Sequence, residues 1–199
     1  QMQGELDKLA KSLASLLGVV DQEKRDALKD ILKSFIALFP VYRLYDDCFP
    51  LSITNFELVS SLFEKLMKNP ELDQELVDQF RNQFQQAQVA YQSPNQTALA
   101  DFFLRCMQLS GPVMAKGVED TLMYTYNRFI GHNEVGDHPQ NLGLSIKQFH
   151  RFMQDRQKDW PLSINASSTH DTKRGEDSRS RLLVLTAMAQ KWVKQLRIW

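Results

Sequence analysis

The sequence predicts a mainly α-helical fold with one or two short β-strands. Across most of the chain, apolar residues recur every three or four positions, which is the spacing of one helical face. Residues 39–45 depart from this pattern because Pro40 cannot lie inside a helix and strand-forming residues follow it. Residues 162–166 alternate apolar and polar side chains, the period of a strand. We expect these elements to form one domain over residues 1–199.

The composition excludes several classes of function. The chain carries 24 basic and 24 acidic residues, so its charge favours neither nucleic acid nor an anionic membrane as a partner. No apolar run approaches the length of a membrane span, and two cysteines are typical of free thiols in a reducing cytoplasm. The four histidines are too scattered for a zinc site, so we expect no metal and no cofactor.

Residues 1–45 are predicted to form a helical hairpin followed by a strand. Five leucines between residues 5 and 17 lie on one helical face, and Gly18 ends that run. Asp21 can cap the second helix. In the strand, Tyr42 and Arg43 lie among aromatic residues, where the guanidinium can stack on a ring, bind a ligand carboxylate or form a structural salt bridge.

Residues 46–160 are predicted to be a succession of amphipathic helices. Thr54 with Glu57, and Ser145 with Gln148, have the spacing of capping boxes at two helix starts. The apolar stripes behind them indicate scaffold rather than a cofactor site, because any amphipathic helix needs such a stripe to pack.

A polar segment interrupts these helices. Lys116, Glu119 and Asp120 surround a glycine before a predicted helix that continues to about Ile130. Acidic residues in a first helical turn favour the helix dipole, which gives Glu119 and Asp120 a structural explanation. Lys116 has none, and residues 132–138 form a polar loop that is too rich in hydrogen-bonding groups for a simple connection.

Residues 161–199 are predicted to form a strand, a polar loop and a closing helix over residues 178–198. The loop, residues 167–174, is the candidate site because ligand groups often follow the carboxyl end of a strand. His170 beside Asp171 can bind sugar hydroxyls or stabilise positive charge, with Lys173 and Arg174 keeping the carboxylate ionised. Alternatively, Asp171 caps a turn and the two cations form a solvated rim.

Three pieces of the sequence resemble one family. These are Phe-Pro-Val-Tyr-Arg at 39–43, Gly-Pro-Val-Met-Ala-Lys-Gly-Val-Glu-Asp-Thr at 111–121 and Ser-Thr-His-Asp-Thr-Lys-Arg-Gly-Glu-Asp at 168–177. They look like maltooligosyl trehalose synthases, (β/α)₈-barrel enzymes of the α-amylase superfamily. The chain departs from the family pattern at Thr125, where an arginine is usual, and at Asp137, where a second glycine is usual.

The resemblance implies an isomerase of trehalose biosynthesis. Such enzymes convert the reducing-end α-1,4 linkage of a maltooligosaccharide into an α,α-1,1 linkage by intramolecular transglucosylation. The resemblance also implies that Asp171 stabilises the transition state beside His170. The residues that it implies for substrate binding are Tyr42, Arg43, Lys116, Glu119, Asp120, Lys173 and Arg174.

The same resemblance predicts that this chain is part of a barrel with its helical insertion at residues 46–160. The family's nucleophile and general acid belong to segments that precede this sequence, so we expect the chain alone to be inactive. We expect a monomeric parent enzyme and self-association of the chain alone through exposed barrel edges. The alternative is a non-catalytic helical module that binds protein or carbohydrate.

Overall fold

A computed structural model describes residues 2–89, 94–138, 140–141 and 143–199. These residues form helices and no strand, and the chain divides into two compact units, residues 1–117 and residues 118–199. The organisation predicted from the sequence, one domain with internal boundaries near residues 45 and 160, stays a prediction.

The first unit contains five long helices. They are α1 (Gln3–Leu17), α2 (Gln22–Ala37), α3 (Ile53–Met67), α4 (Gln74–Val89) and α5 (Pro94–Val113). Gly18 ends α1 in the left-handed conformation at φ 68°, where a side chain would be strained. Asp21 accepts the Lys24 N–H at the start of α2, the predicted cap.

The core of the first unit is a cluster of aromatic rings contributed by several helices. Phe80 is fully buried and contacts the rings of Phe35, Phe63 and Phe84 at centroid distances of 5.0–5.4 Å. Around it, α1 packs on α2 and α5, while α3 packs on α4 and α2. Each helix contributes the apolar stripe that its sequence predicts.

The predicted strand at residues 39–45 is wrong. The segment between α2 and α3 is irregular and lies against α5, with Leu44 buried. Its backbone groups bond to α5 side chains. The Ser110 hydroxyl donates to the Tyr42 carbonyl at 2.7 Å, and the Met107 sulfur accepts the Leu44 N–H at 3.4 Å. A strand needs a neighbouring backbone to form a ladder, and here helix side chains take that place.

The second unit contains shorter helices. A π-helix spans Met114–Leu122, beginning in the first unit, and is followed by α6 (Met123–Thr125), a 3₁₀ turn (Ile130–His132), α7 (Ile146–Asp159), α8 (Glu176–Ala187) and α9 (Ala189–Leu196). The predicted helix reaching Ile130 therefore stops at Thr125. The predicted closing helix is two helices that meet at Met188.

The predicted strand at residues 162–166 is also wrong. Leu162 and Ile164 are almost fully exposed, at 92% and 90%. The chain leaves α7 in a turn in which the Ser163 N–H bonds to the Trp160 carbonyl, and Arg156 binds the Ser163 hydroxyl and the Ile164 carbonyl. The alternation is present in the sequence, but these local contacts replace a ladder. The fold class is corrected to all-helical for the described residues, and no described strand supports the predicted barrel.

The helices of the second unit leave apolar side chains uncovered. Neither α7, α8 nor α9 contains a buried residue. On α7, the exposed apolar side chains include Ile146, Phe149 and Phe152. Among the helices that the structure describes, none has the length and apolar character required to cross a membrane.

Candidate functional site

Lys173 brings together two acidic residues that are distant in sequence. Its ammonium donates to the Asp120 carboxylate at 2.6 Å and lies 3.9 Å from the Glu119 carboxylate. The hydrogen bond to Asp120 raises the pKa of Lys173 above its usual value. The predicted site residues Glu119, Asp120 and Lys173 therefore form one charged cluster in the second unit.

Glu119 is the most buried member of this cluster, at 7% exposure. One of its oxygens accepts the Gly136 N–H at 3.1 Å, which ties the polar loop at 132–138 to the π-helix. Glu119 and Asp120 lie within the π-helix rather than in the first turn of an α-helix. The explanation from the helix dipole therefore does not apply, and Lys173 is a cation that balances their charge.

Glu134 is a further residue in this region, one to which the sequence analysis gave no role. Its Oε1 accepts the Lys173 N–H at 2.7 Å, and its Oε2 lies 3.5 Å from Arg179 Nε. Beside it, Arg174 donates to the Asn133 carbonyl at 2.8 Å. The polar loop at 132–138 is thus bound to the candidate loop at both Lys173 and Arg174. The unusual polarity of residues 132–138 was the sequence signal that could have pointed to Glu134.

His170 and Asp171 lie at the exposed tip of the candidate loop. Their side chains are 90% and 74% exposed, and His170 Nε2 is 3.5 Å from Asp171 Oδ2. A turn supports the tip because the Thr172 N–H and hydroxyl both donate to the Thr169 carbonyl. Asp171 accepts no described capping hydrogen bond, so its carboxylate is open to a ligand.

A second histidine–aspartate pair stabilises the polar loop. His132 Nδ1 is 2.8 Å from Asp137 Oδ2, and the imidazole is only 12% exposed. The rings of Tyr126 and Phe129 meet this imidazole edge to face at 6.1 Å and 5.6 Å. This pair fixes the loop that carries Asn133 and Glu134.

The other three predicted site residues belong to the first unit. Tyr42 is 39% exposed, and its carbonyl accepts the Ser110 hydroxyl. The Arg43 guanidinium lies 5.3 Å from the centre of the exposed Tyr45 ring, which is one of the three roles that its sequence context left open. Lys116 is exposed within the π-helix.

The second unit has a small cavity beside Glu134. Its volume is about 70 Å³, and its lining includes Gly131, Glu134, Arg174 and Arg179. This volume accommodates a few water molecules, whereas pockets that enclose small molecules usually measure about 300–1,000 Å³. The described residues also contain no group of three or more side chains that could hold a metal ion.

Comparison with known proteins finds similarity to one kind of enzyme. No protein-family model matches the chain. A Mycobacterium tuberculosis protein named as a maltooligosyl trehalose synthase is 44% identical over 91 residues, which are 46% of this chain and 12% of the relative. The same match is found in two strains of that organism.

Solved structures extend the similarity over nearly the whole chain. The maltooligosyltrehalose synthase from Arthrobacter ramosus superposes with a TM-score of 0.72 at 27% identity, covering 96% of this chain and 22% of that protein. A Sulfolobus tokodaii protein described as a hypothetical maltooligosyl trehalose synthase gives a TM-score of 0.62 at 25% identity, covering 100% of this chain and 25% of its own length. In sequence and in fold, the chain is similar to maltooligosyl trehalose synthases, and it matches no more than a quarter of the length of these relatives.

Proposed function

We propose that this chain is part of an enzyme that converts the reducing-end α-1,4 bond of a maltooligosaccharide into an α,α-1,1 bond. The product is a maltooligosyl trehalose, formed by intramolecular transglucosylation. The observation that carries this proposal is that the relatives share one name. They were found by sequence over 46% of the chain and by fold over 96–100% of it.

In this proposal, Asp171 stabilises the transition state and His170 binds the same sugar. Glycosyl transfer passes through an oxocarbenium-like ring, which a nearby carboxylate stabilises electrostatically. The exposed tip of the candidate loop presents both side chains to a ligand, and their separation of 3.5 Å lets them contact adjacent hydroxyls.

The remaining roles are in substrate binding. Tyr42, Arg43 and Lys116 expose a ring and two cations, groups that stack on a sugar face or donate to its hydroxyls. In the second unit, the Asp120 side chain of the charged cluster is 31% exposed. We assign substrate binding to Asp120 and also to Glu119, Lys173 and Arg174.

Enclosure of the substrate has a chemical purpose. The glucose released from the reducing end must attack the glycosyl intermediate before water does, so a binding wall that excludes water protects the yield. Paired charges suit this role because the Lys173 cluster holds its side chains in fixed positions before the sugar arrives.

The remaining expectations are proposed in the same sense. We propose a maltooligosaccharide as the ligand, a monomeric parent enzyme, no cofactor and neither nucleic acid nor membrane as partner, consistent with 24 basic and 24 acidic residues. The free thiols of Cys48 and Cys106 support a reducing cytoplasm. For self-association of the chain alone, the exposed apolar side chains of α7 offer a surface other than strand edges.

The test is conversion of maltopentaose to a non-reducing product by the full-length protein. Because Asp171 stabilises the transition state, Asp171→Asn should lower kcat by roughly a hundredfold to a thousandfold. Asp155→Asn, a matched change at an exposed carboxylate of α7, should leave kcat unchanged. The roles assigned to this chain include neither nucleophile nor general acid, so the 199-residue chain alone should produce no trehalose-terminated sugar.

Two outcomes contradict the proposal. Full-length protein that leaves maltopentaose untouched removes the catalytic assignment and favours a non-catalytic binding module. An Asp171→Asn variant as active as wild type removes the assigned role of Asp171, even if the enzyme makes the expected product.

A further inference from the structure

The two ends of the candidate loop converge on one carboxylate. At the C-terminal end, Glu134 Oε1 accepts the Lys173 N–H at 2.7 Å. At the N-terminal end, Arg179 Nη1 donates to the Ser167 carbonyl at 2.6 Å, and Arg179 Nε lies 3.5 Å from Glu134 Oε2. Glu134 therefore fixes one end directly and the other through a single arginine.

Burial distinguishes Glu134 from the loop that it holds. Its side chain is 12% exposed, whereas those of His170 and Asp171 are 90% and 74% exposed. Hydrogen bonds that involve an ionised group are shorter and stronger than neutral ones, and they strengthen further away from water. The firm contacts of the loop are thus at its ends, while the groups available to a substrate are at its tip.

The tip has few means of fixing its own orientation. Thr169 and Thr172 close a turn by hydrogen bonds to each other, and these bonds do not tie the turn to another segment. The direction of the turn is consequently set by the bonds at the ends of the loop: those of Ser167 to Arg179 and Glu176, that of Lys173 to Glu134 and that of Arg174 to Asn133. A change of about 1 Å at such a site can cost a hundredfold in rate, which makes the anchoring carboxylate functionally important.

We propose that Glu134 is a positioning residue for Asp171. It holds the carboxylate of Asp171 in its working orientation by fixing both ends of the candidate loop, and it has no contact with substrate itself. The catalytic role of this positioning rests on the proposed function. The fixing of the loop ends by Glu134 can be measured without any activity.

The first experiment is amide hydrogen exchange on the 199-residue chain. In Glu134→Ala, the Lys173 N–H loses a charged acceptor, so its exchange should accelerate by roughly tenfold to a hundredfold. Glu134→Gln keeps an acceptor of the same shape and should show a smaller acceleration. Asp155→Asn serves as the control in the same unit, with Lys173 exchange as in wild type. Unchanged exchange at Lys173 in Glu134→Ala overturns the proposal.

The second experiment measures maltopentaose conversion by the full-length protein at a temperature where each variant is folded. Glu134→Ala should lower kcat by roughly a hundredfold with little change in KM, because orientation of the stabilising carboxylate is lost rather than binding. Glu134→Gln should recover part of kcat. A purely structural role predicts an unchanged kcat for the folded fraction, and that result refutes positioning.

The two experiments separate this inference from the proposed function. If wild-type protein does not convert maltopentaose, the proposed function fails, and exchange at Lys173 still decides whether Glu134 fixes the loop. If wild type is active and Glu134→Ala loosens the loop without changing kcat, the proposed function stands and the positioning role fails.

Discussion

The two units of this protein are stabilised by different physical means. In the first, five helices direct their apolar stripes inward and bury six phenylalanines almost completely. In the second, α7, α8 and α9 bury no residue, and hydrogen bonds and ion pairs cluster around Lys173 and Glu134. Burial of apolar area stabilises the first unit, while polar contacts determine the local geometry of the second.

This difference suits a division between scaffold and site. Apolar packing stabilises a fold but offers no charged group to a ligand. Paired charges hold polar side chains in a defined orientation and add only modestly to stability.

The chain also provides separate probes for the two units. Trp160, Trp192 and Trp199 all lie in the second unit, and the thiol of Cys106 is buried in the first.

The largest expected effect is the loss of a core ring in the first unit. Phe80→Ala removes a fully buried ring that contacts four others, so it should lower the free energy of unfolding by about 3–5 kcal/mol. The measurement is urea unfolding, together with the rate at which Cys106 reacts with a thiol reagent. Burial raises the pKa of the Cys106 thiol, so it reacts only when the first unit opens.

Phe152→Ala is the matched control in the second unit. Phe152 is 54% exposed on α7, so its loss should change the free energy of unfolding by no more than about 0.5 kcal/mol. Equal destabilisation by the two substitutions would show that the apolar face of α7 is covered in solution and would remove the contrast between the units.

A smaller effect is expected from breaking the charge cluster of the second unit. Lys173→Ala removes the cation that donates to Asp120 and lies beside Glu119, which should cost about 2 kcal/mol, less than for a fully buried pair because Asp120 is partly exposed. Tryptophan fluorescence during urea unfolding measures this loss. In wild type, the raised pKa of Lys173 means that its contribution is present below its unfolded pKa of about 10.4 and is lost as the pH rises through the folded value.

A double variant identifies the cause of that loss. Glu119→Gln combined with Lys173→Ala also removes one of the two carboxylate charges beside the lost cation, so it should be more stable than Lys173→Ala alone. A double variant no more stable than the single one would mean that Lys173 acts through packing of its side-chain carbons and not through its charge.

The helices of the first unit could be predicted because their signals are local. In α2, five apolar residues recur at helical spacing in the sequence, and these five are the buried ones: Leu28, Ile31, Leu32, Phe35 and Ile36. Gly18 and Asp21 end and begin helices as their conformational preferences indicate. The capping box of Ser145 and Gln148 at the start of α7 is also confirmed.

The strands could not be judged from sequence because a strand is completed by its neighbour. Residues 39–45 and 162–166 have suitable side chains, but the described structure gives their backbone other partners, Ser110 and Met107 in one case and Arg156 in the other. The exposure of α7 likewise could not be predicted from the spacing of its apolar residues, because an amphipathic helix has the same spacing whether or not its apolar face is covered.

The candidate site was only partly predictable for the same reason. Glu119, Asp120 and Lys173 were predicted to bind substrate, but their contact was not predicted, because Lys173 and Asp120 are 53 positions apart. Glu134 lies 39 positions from Lys173, and nothing local distinguishes it from other polar residues of its loop. Its importance follows from tertiary contacts at the two ends of another segment.

The smallest expected effect concerns a polar contact within the apolar unit. The predicted capping box of Thr54 and Glu57 is not formed, because α3 begins at Ile53. Instead, Asp46 accepts the Ser52 N–H at 2.9 Å and the Asn55 side-chain amide. Burial alone would raise the pKa of Asp46, but these hydrogen bonds lower it below its usual value.

Asp46→Asn should therefore lower the free energy of unfolding by about 1 kcal/mol at neutral pH. Because the folded pKa is lowered, this contribution is present above the unfolded pKa of about 3.9 and is lost as the pH falls through the folded value. Urea unfolding followed by Cys106 reactivity at neutral and acidic pH measures it, with Asp47→Asn as the exposed neighbouring control. A difference between wild type and Asp46→Asn that persists unchanged below the folded pKa would assign the effect to side-chain shape and not to the ionised carboxylate.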